Sequence, residues 1–447
     1  MASRDLIMTF FGTGAMKPSL RRGTSAMGMF LPTKRGSESW LFDCGEGTFR
    51  QLCIFNKSSK RHIVNKSHLQ SLENFRFGCN KLNRIFITHL HGDHIFGLPS
   101  VILGINFEKN PELLRESPIH LYGPSGLGNY ISSCFDVCES HIQCNIDITE
   151  LCLPDQPCST LPASGINRDR ITVRALYPND KFEWKCVSED FGSVLAGIVS
   201  HPITTFGYSY FEKDQPGNVN ADVVVPLLQR NKIEIEKSGG TIYDVLKRFK
   251  SGEICVLPDQ TVLDPSNREL ISEVKKGRHI SILGDTRNPQ RMADLIRGCD
   301  VLVHEATVGP LPQDFERSEH IIGNMQLQPD AMEATAALSC KQRRLLEKKV
   351  HSKGHSTAIE AAAFAREMKA KQLILNHISN RYDYLDDLHY FRTIQHMKSI
   401  AMVERSEVLE LLCRKSLGLP TCIFQRIFIL LFSTGRAAAR NSCFYVV

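Results

Sequence analysis

The 447-residue chain has no CxxC pair, no internal repeat and no low-complexity tract. Its fifteen cysteines are scattered, which disfavours a cysteine-based zinc ribbon. An odd cysteine count without a secretory signal points to reduced thiols. The first apolar strand pattern, Leu6 to Phe11, starts too early to leave room for a cleavable signal or a long transit peptide. The expected location is cytoplasmic and/or nuclear, with an organellar copy left open. Long apolar runs are also scarce. Residues 417–435 come nearest, but Gln425 and Arg426 interrupt them. A membrane span needs about 20 apolar residues, and a central Arg costs a few kcal/mol. A packed strand or a poorly ordered tail is expected there, and membrane anchoring is disfavoured. Nor is there a large charge excess. A net charge of +6 permits a phosphate-bearing partner without demanding one. With 42% hydrophobic and 23% charged residues, the chain can bury one large core or two smaller ones.

What is present is concentrated in residues 84–99, RIFITHLHGDHIFGLP. A β-branched apolar run, Ile85 to Thr88, reads as a buried strand. Three imidazoles and a carboxylate follow within six positions: His89, His91, Asp93 and His94. A strand end running into a glycine-containing turn can aim several side chains at one point. Imidazole nitrogen and carboxylate oxygen suit Zn²⁺ and are not soft enough to demand copper. The alternative is an ordinary solvated polar loop.

HxHxDH after a strand resembles the metal-binding motif of the metallo-β-lactamase superfamily. The fuller THLHGDHIFGLP resembles one branch of it, ribonuclease Z (tRNase Z), in its short form. One such run cannot fill two metal shells. His201 in SHPITTFGYS, Asp285 in SILGDT and His377 in LILNHISNRY each follow an apolar strand pattern. Each matches a further family motif in the right order. The resemblance implies two zinc ions per subunit. His89, His91 and His201 would hold the first, Asp93, His94 and His377 the second, and Asp285 would bridge them. An anionic bridge offsets the repulsion between two dications about 3.5–4 Å apart. Asp93 would also orient the attacking hydroxide or take its proton. Asp43, in LFDCGEGT, would sit beneath the metals and accept N–H groups of ligand histidines; a plain turn-forming Asp is the alternative.

His304-Glu305-Ala306-Thr307 and His355-Ser356-Thr357 match two motifs that separate ribonuclease Z from its relatives. The resemblance pairs Glu305 with His355, which would protonate the leaving 3′-oxygen. An alkoxide is a poor leaving group, so a general acid is chemically required. Alternatively, His355 merely precedes a helix capped by Ser356 and Thr357.

Mixed strands and helices with functional residues at strand ends argue for an α/β sandwich. The resemblance implies the αββα fold, two mixed β-sheets face to face with helices outside. Residues 1–408 are expected to form one catalytic domain, and 409–447 a C-terminal tail to which no role attaches. The family grips tRNA with a protruding arm, expected here at 150–190, where Arg168, Arg170 and Arg174 are candidate contacts; a solvated loop is the alternative. The basic run from Lys341 to Lys353 reads as the polar face of a helix. Pro18 to Ser25, with Arg21 and Arg22, resembles the loop that senses the tRNA 3′ end. It departs from the bacterial PxKxRN form towards the eukaryotic short form. The function implied is a zinc-dependent endoribonuclease that removes the 3′ trailer of precursor tRNA, working as a homodimer. The rival is a phosphodiesterase of the same fold acting on cyclic-nucleotide or other small substrates, which would need no arm. A silent binding module is disfavoured, because all seven ligand positions are filled.

Overall fold

Strand β1 (Leu6–Gly12) is apolar at almost every position and buried throughout. Such a strand must be covered on both faces. Its alternate residues indeed serve two cores. Leu6, Met8 and Phe10 join one cluster with Trp40, Phe86, Trp184, Tyr208 and Ile280. Ile7 and Phe11 join another with Leu52, Phe55, Val101, Ile131 and Phe135. The computed structural model describes residues 6–19, 22–33, 36–58, 82–108, 117–308, 340–382, 407–409, 428–432 and 444–446.

The chain forms two compact units, Met1–Tyr210 with His279–Val447, and Phe211–Arg278. The first holds two mixed sheets flanked by helices. One sheet contains β1, β2 (Ala26–Thr33), β3 (Gly36–Phe42), β4 (Leu82–Phe86), β5 (Ile119–Pro124), β6 (Ile146–Leu151) and β7 (Ile171–Leu176) in that order. The other contains β8 (Glu183–Glu189), β9 (Gly192–Val199), β10 (Thr205–Glu212), β13 (His279–Ile282), β14 (Val301–Glu305), β15 (Gln372–Asn376) and β16 (Glu407–Leu409), again in order. A short hairpin, β11 (Cys255–Val256) and β12 (Val262–Leu263), lies in the second unit. Within 409–447, β17 (Phe428–Phe432) pairs antiparallel with β1, and β18 (Phe444–Val446) with β17. These two strands extend the first sheet.

Residues 150–190 correct one expectation. They do not form a protruding arm but contribute β7, β8 and the end of β6. Their loops are laced onto the helix Leu127–Val137 and its surroundings. Ile166 N donates to Asp136 Oδ1 (2.8 Å), and Asn167 bridges Ile142 N and Ser140 O, both at 2.9 Å. Arg170 Nη1 reaches Asn145 Oδ1 (3.4 Å) and Arg174 Nε reaches Thr149 Oγ1 (2.9 Å). Arg168 is exposed in the turn before β7. Regular alternation in β7 and β8 was masked by four prolines and the neighbouring cations.

Glu150, fully buried, is the anchor of this region. The helix Leu127–Val137 starts at Gly126 (φ 103°) without a side-chain cap of its own. Glu150 supplies one from a distance, accepting Gly126 N (3.1 Å), Gly128 N (2.8 Å), Ser159 N (2.7 Å) and Ser159 Oγ (2.7 Å). Removing it strands several buried donors, each costing about 1–3 kcal/mol. Glu150→Ala is therefore expected to lower unfolding stability by at least about 2 kcal/mol. Chemical denaturation measures this as a lower midpoint at unchanged slope. An unshifted midpoint would mean that water replaces the carboxylate.

The separate unit has its own core of Val224, Leu228, Ile235, Phe249, Leu257, Leu263, Leu270 and Ile271. Arg278 and Glu212 close its base through two contacts, Nε to Oε2 at 2.6 Å and Nη2 to Oε1 at 2.5 Å. Its helix Ile242–Lys250 opens with a capping box between Thr241 and Asp244.

Candidate metal centre

The carboxyl ends of parallel neighbours β3 and β4, and of β13, β14 and β15, carry the motif residues. Ligand sites in α/β folds form at such strand ends, where the chain leaves the sheet. β4 leads through Thr88 to His89, and a short helix, Gly92–Ile95, carries Asp93 and His94. His201 follows β9, Asp285 follows β13, Glu305 closes β14, and His377 follows β15.

The seven expected ligands converge. Ligand atoms of His89, His91 and His201 lie within 4.8 Å of one another, as do those of Asp93, His94 and His377. Asp285 belongs with His89 and His94 and also with His377. Its Oδ2 lies 3.7 Å from His89 Nε2, 3.5 Å from His94 Nε2 and 3.2 Å from His377 Nε2.

Hydrogen bonds on the far side of each ring set which nitrogen faces the centre. His94 Nδ1 donates to Asp43 Oδ2 (2.7 Å) and His201 Nδ1 to Gly354 O (2.8 Å). Two threonines relay the same orientation. Thr88 Oγ1 donates to Asp43 Oδ2 (3.0 Å), so its oxygen accepts from His89 Nδ1 (3.0 Å). Thr307 Oγ1 donates to Glu305 Oε2 (2.7 Å) and accepts from His377 Nδ1 (2.8 Å). All four rings therefore turn Nε2 inward. His91 alone turns its Nδ1 to the cluster, 3.0 Å from His89 Nε2 and 3.3 Å from His201 Nε2. Asp43 thus accepts directly from His94 and, through Thr88, orients His89. Asp43 (φ 57°) and His377 (φ 55°) adopt left-handed backbone, a strain typical of functional turns.

The donor set fits metal ions. Burial depresses the pKa of His89 well below the ordinary value, reinforced by His94. Burial lowers His91 and His201 too. Rings that resist a proton and converge to 3.0–3.3 Å are suited to share a cation. His94 Nε2 is a buried nitrogen with no hydrogen-bond partner among the described residues. Burial opposes charge on His94, but Asp285 and Asp43 outweigh it and raise its pKa well above the usual value. The negative field that favours a proton at Nε2 equally favours a metal ion there. Burial also opposes ionisation of Asp285, yet His377 and His94 hold its carboxyl well below the usual range. Asp93 behaves alike; burial is outweighed by its hydrogen bond to His377 and the neighbouring imidazoles.

Glu305 and His355 stand beside this cluster. Glu305, 2% exposed, accepts Thr286 N (3.0 Å), Ser356 N (3.1 Å) and His355 Nδ1 (3.1 Å) at Oε1, and Thr307 N (3.0 Å) at Oε2. Its strand neighbour His304 points the other way, towards Phe364. Burial works against charge on His355, but the hydrogen bond and charge of Glu305 prevail and raise its pKa. The cap itself is Thr357, in a capping box with Glu360. His355 lies before that cap, outside the helix.

Sequence reasoning missed the threonine relays and one backbone contact. Met16 N donates to Asp93 Oδ2 (2.6 Å), from a loop that also bonds Ile378. Thr88 and Thr307 were legible only as motif letters, since nothing local assigns their partners. Arg22 bonds Thr13 Oγ1 (2.9 Å) in the same loop, and Arg21 lies outside the described residues.

A family model described as anti-Pycsar protein Apyc1 matches residues 31–129. The ribonuclease Z of Anoxybacillus flavithermus is 30% identical over 375 residues, covering 84% of this chain and 87% of that protein. The ribonuclease Z of Bacillus cereus is 31% identical over 373 residues, 83% of this chain and 88% of the relative. Among solved structures, the human short-form tRNase Z matches with 26% identity and a TM-score of 0.46, covering 84% of this chain and 94% of that one.

Proposed function

Because the chain belongs to the ribonuclease Z family, we propose that it cuts precursor tRNA 3′ of the discriminator nucleotide, using two zinc ions. The products are a tRNA 3′-hydroxyl and a trailer with a 5′-phosphate. The observation that carries this reading is the Glu305–His355 pair, a proton donor set against a seven-ligand centre.

His89, His91 and His201 would hold one ion, Asp93, His94 and His377 the other, with Asp285 shared. When bound, such a pair supplies a nucleophile at neutral pH and stabilises charge on phosphate oxygens. The remaining work falls to the chain. Asp43, Thr88 and Thr307 fix the tautomers of His94, His89 and His377. Asp93, steadied by Met16 N–H, orients the attacking water or takes its proton. His355 keeps Nδ1–H on Glu305, so Nε2 is the atom that gives a proton to the leaving 3′-oxygen.

The tRNA grip moves to the unit 211–278, inserted between His201 and Asp285. On its helix Ile242–Lys250, Lys247 and Lys250 are exposed and make no ion pair among the described residues, and Tyr243 is 70% exposed. Replacing Lys247, Arg248 and Lys250 by Ala should weaken pre-tRNA binding. The slope of log K against log salt should fall by about 0.7–0.9 per lost phosphate contact. The set Arg168, Arg170 and Arg174 should change it less, since two of these hold their own sheet. Binding across a salt series compares the two triple variants. A larger change from the arginine set would return the grip to β7. Assembly as a homodimer, one subunit's arm serving the other's site, belongs to the same proposal.

The direct test is incubation of the purified protein with a 3′-extended pre-tRNA, with both new ends mapped. The expected ends are those above, with activity lost to a chelator and restored by zinc. Turnover of cyclic nucleotides with intact pre-tRNA would favour the small-substrate phosphodiesterase instead.

A further inference from the structure

We infer that Arg287, assisted by Lys353, binds the backbone phosphate on the 5′ side of the nucleotide whose 3′-oxygen leaves; this rests on the tRNA-trimming reading. Arg287 is exposed but not loose. Its backbone N–H donates to Ser200 O (2.9 Å) and its Nε to Ser200 Oγ (3.1 Å), beside an isolated bridge between Ser200 and Asn288. These bonds hold the guanidinium one residue from His201 in contact and two residues in sequence from Asp285. Among the described residues Arg287 makes no ion pair, so its two terminal nitrogens are available.

A second cation belongs to another segment that touches His201. The ring donates to Gly354 O (2.8 Å), and the turn packs so closely that a methyl group on Gly354 would lie 2.6 Å from His201 Nδ1. Lys353 precedes it, exposed and without an ion pair among the described residues. Each of the two segments that touch the Ser200–His201 turn thus carries an exposed cation without an ion pair among the described residues. Most exposed lysines and arginines are merely solvated. Arg287 differs in being tethered at Nε, which leaves a pre-oriented fork suited to an anion with two accepting oxygens.

The placement of His355 selects which phosphate. His355 follows Lys353 and Gly354 directly, and Ser356 next to it donates to the carbonyl of Thr286, the residue before Arg287 (2.5 Å). The oxygen that His355 protonates belongs to the tRNA-side nucleotide, so the segments carrying both cations adjoin that nucleotide, and its own 5′ phosphate is the next anion on that side. A small phosphodiester has no such group.

The test uses pre-tRNA carrying a single uncharged methylphosphonate, either at that 5′-side linkage or at the first linkage within the trailer. Wild type, Arg287→Gln and Arg287→Lys are compared, each checked for zinc content and thermal midpoint. The 5′-side change should lower the wild-type kcat/KM by roughly ten- to a hundred-fold, the range for a charge-assisted hydrogen bond. Arg287→Gln should lose a similar factor on unmodified pre-tRNA, chiefly through KM. The two losses should not add, because they remove the same contact. Arg287→Lys should recover part of the loss. Additive losses overturn the inference, as does a variant that becomes insensitive to the trailer-side change instead. If wild type fails to cut unmodified pre-tRNA, the tRNA reading itself falls and takes this inference with it; that outcome is seen before any modification is introduced.

Discussion

Asp285→Ala is expected to abolish pre-tRNA cleavage and to lose zinc. Asp285 Oδ2 lies within 3.7 Å of His89, His94, His355 and His377. It is buried and ionised, so it contributes a full negative charge where little water screens it. Without it, four imidazoles face one another around a void, and two dications would have no shared anion between them. The histidines could then hold at most one ion well. Metal analysis of the purified variant, with end-mapped cleavage, measures the effect. Two zinc ions per chain with near-normal activity would remove Asp285 from the proposed bridge. Asp285→Asn is the informative companion, because it keeps the shape and loses the charge.

The second large effect concerns His355. His355→Ala should retain both metals and slow pre-tRNA cleavage by roughly 10²–10⁴, the usual span for general acid–base catalysis. That span corresponds to about 3–5 kcal/mol of transition-state stabilisation. The loss should shrink on a p-nitrophenyl phosphodiester, whose leaving group departs without a proton. His355 also lies near enough to Asp285 and His377 to ligate a metal itself. The two roles separate cleanly: a ligand variant loses metal and fails equally on both substrates, whereas an acid variant keeps metal and fails selectively. Glu305→Gln should follow His355→Ala in direction. It removes the charge that raises the His355 pKa and turns an amide N–H₂ towards donors that need an acceptor.

Both expectations depend on residues that are far apart in sequence but could be named from it. Each ligand sits where an apolar strand pattern stops, and strand ends are written locally in β-branched runs followed by glycine, aspartate or histidine. The apolar runs that precede His89, Asp285 and His377 correspond to β4, β13 and β15 within a residue or two. The cap at Thr357 was equally local, since its partner Glu360 is three residues away. Local pattern therefore determined the strands and the cluster of metal-suited side chains, while the full ligand set and the proton donor came from resemblance to the family's motifs.

Tertiary structure alone decided how these parts are held. Asp43 meets Thr88 across 45 residues and His94 across 51, and Thr307 meets His377 across 70. No periodicity encodes such pairings. They arise because parallel strands bring their carboxyl ends to one edge, and because a buried polar group must find a partner there. The same rule explains Glu150, which caps a helix that precedes it in the chain. It also explains the misplaced arm. Prolines and arginines at 150–190 resemble a protrusion in one dimension, yet alternate residues of β7 and β8 find sheets to join. The segment 211–278 alternates polar and apolar like any domain and announced nothing. Only the closure of its own core between β10 and β13 reveals a separate unit.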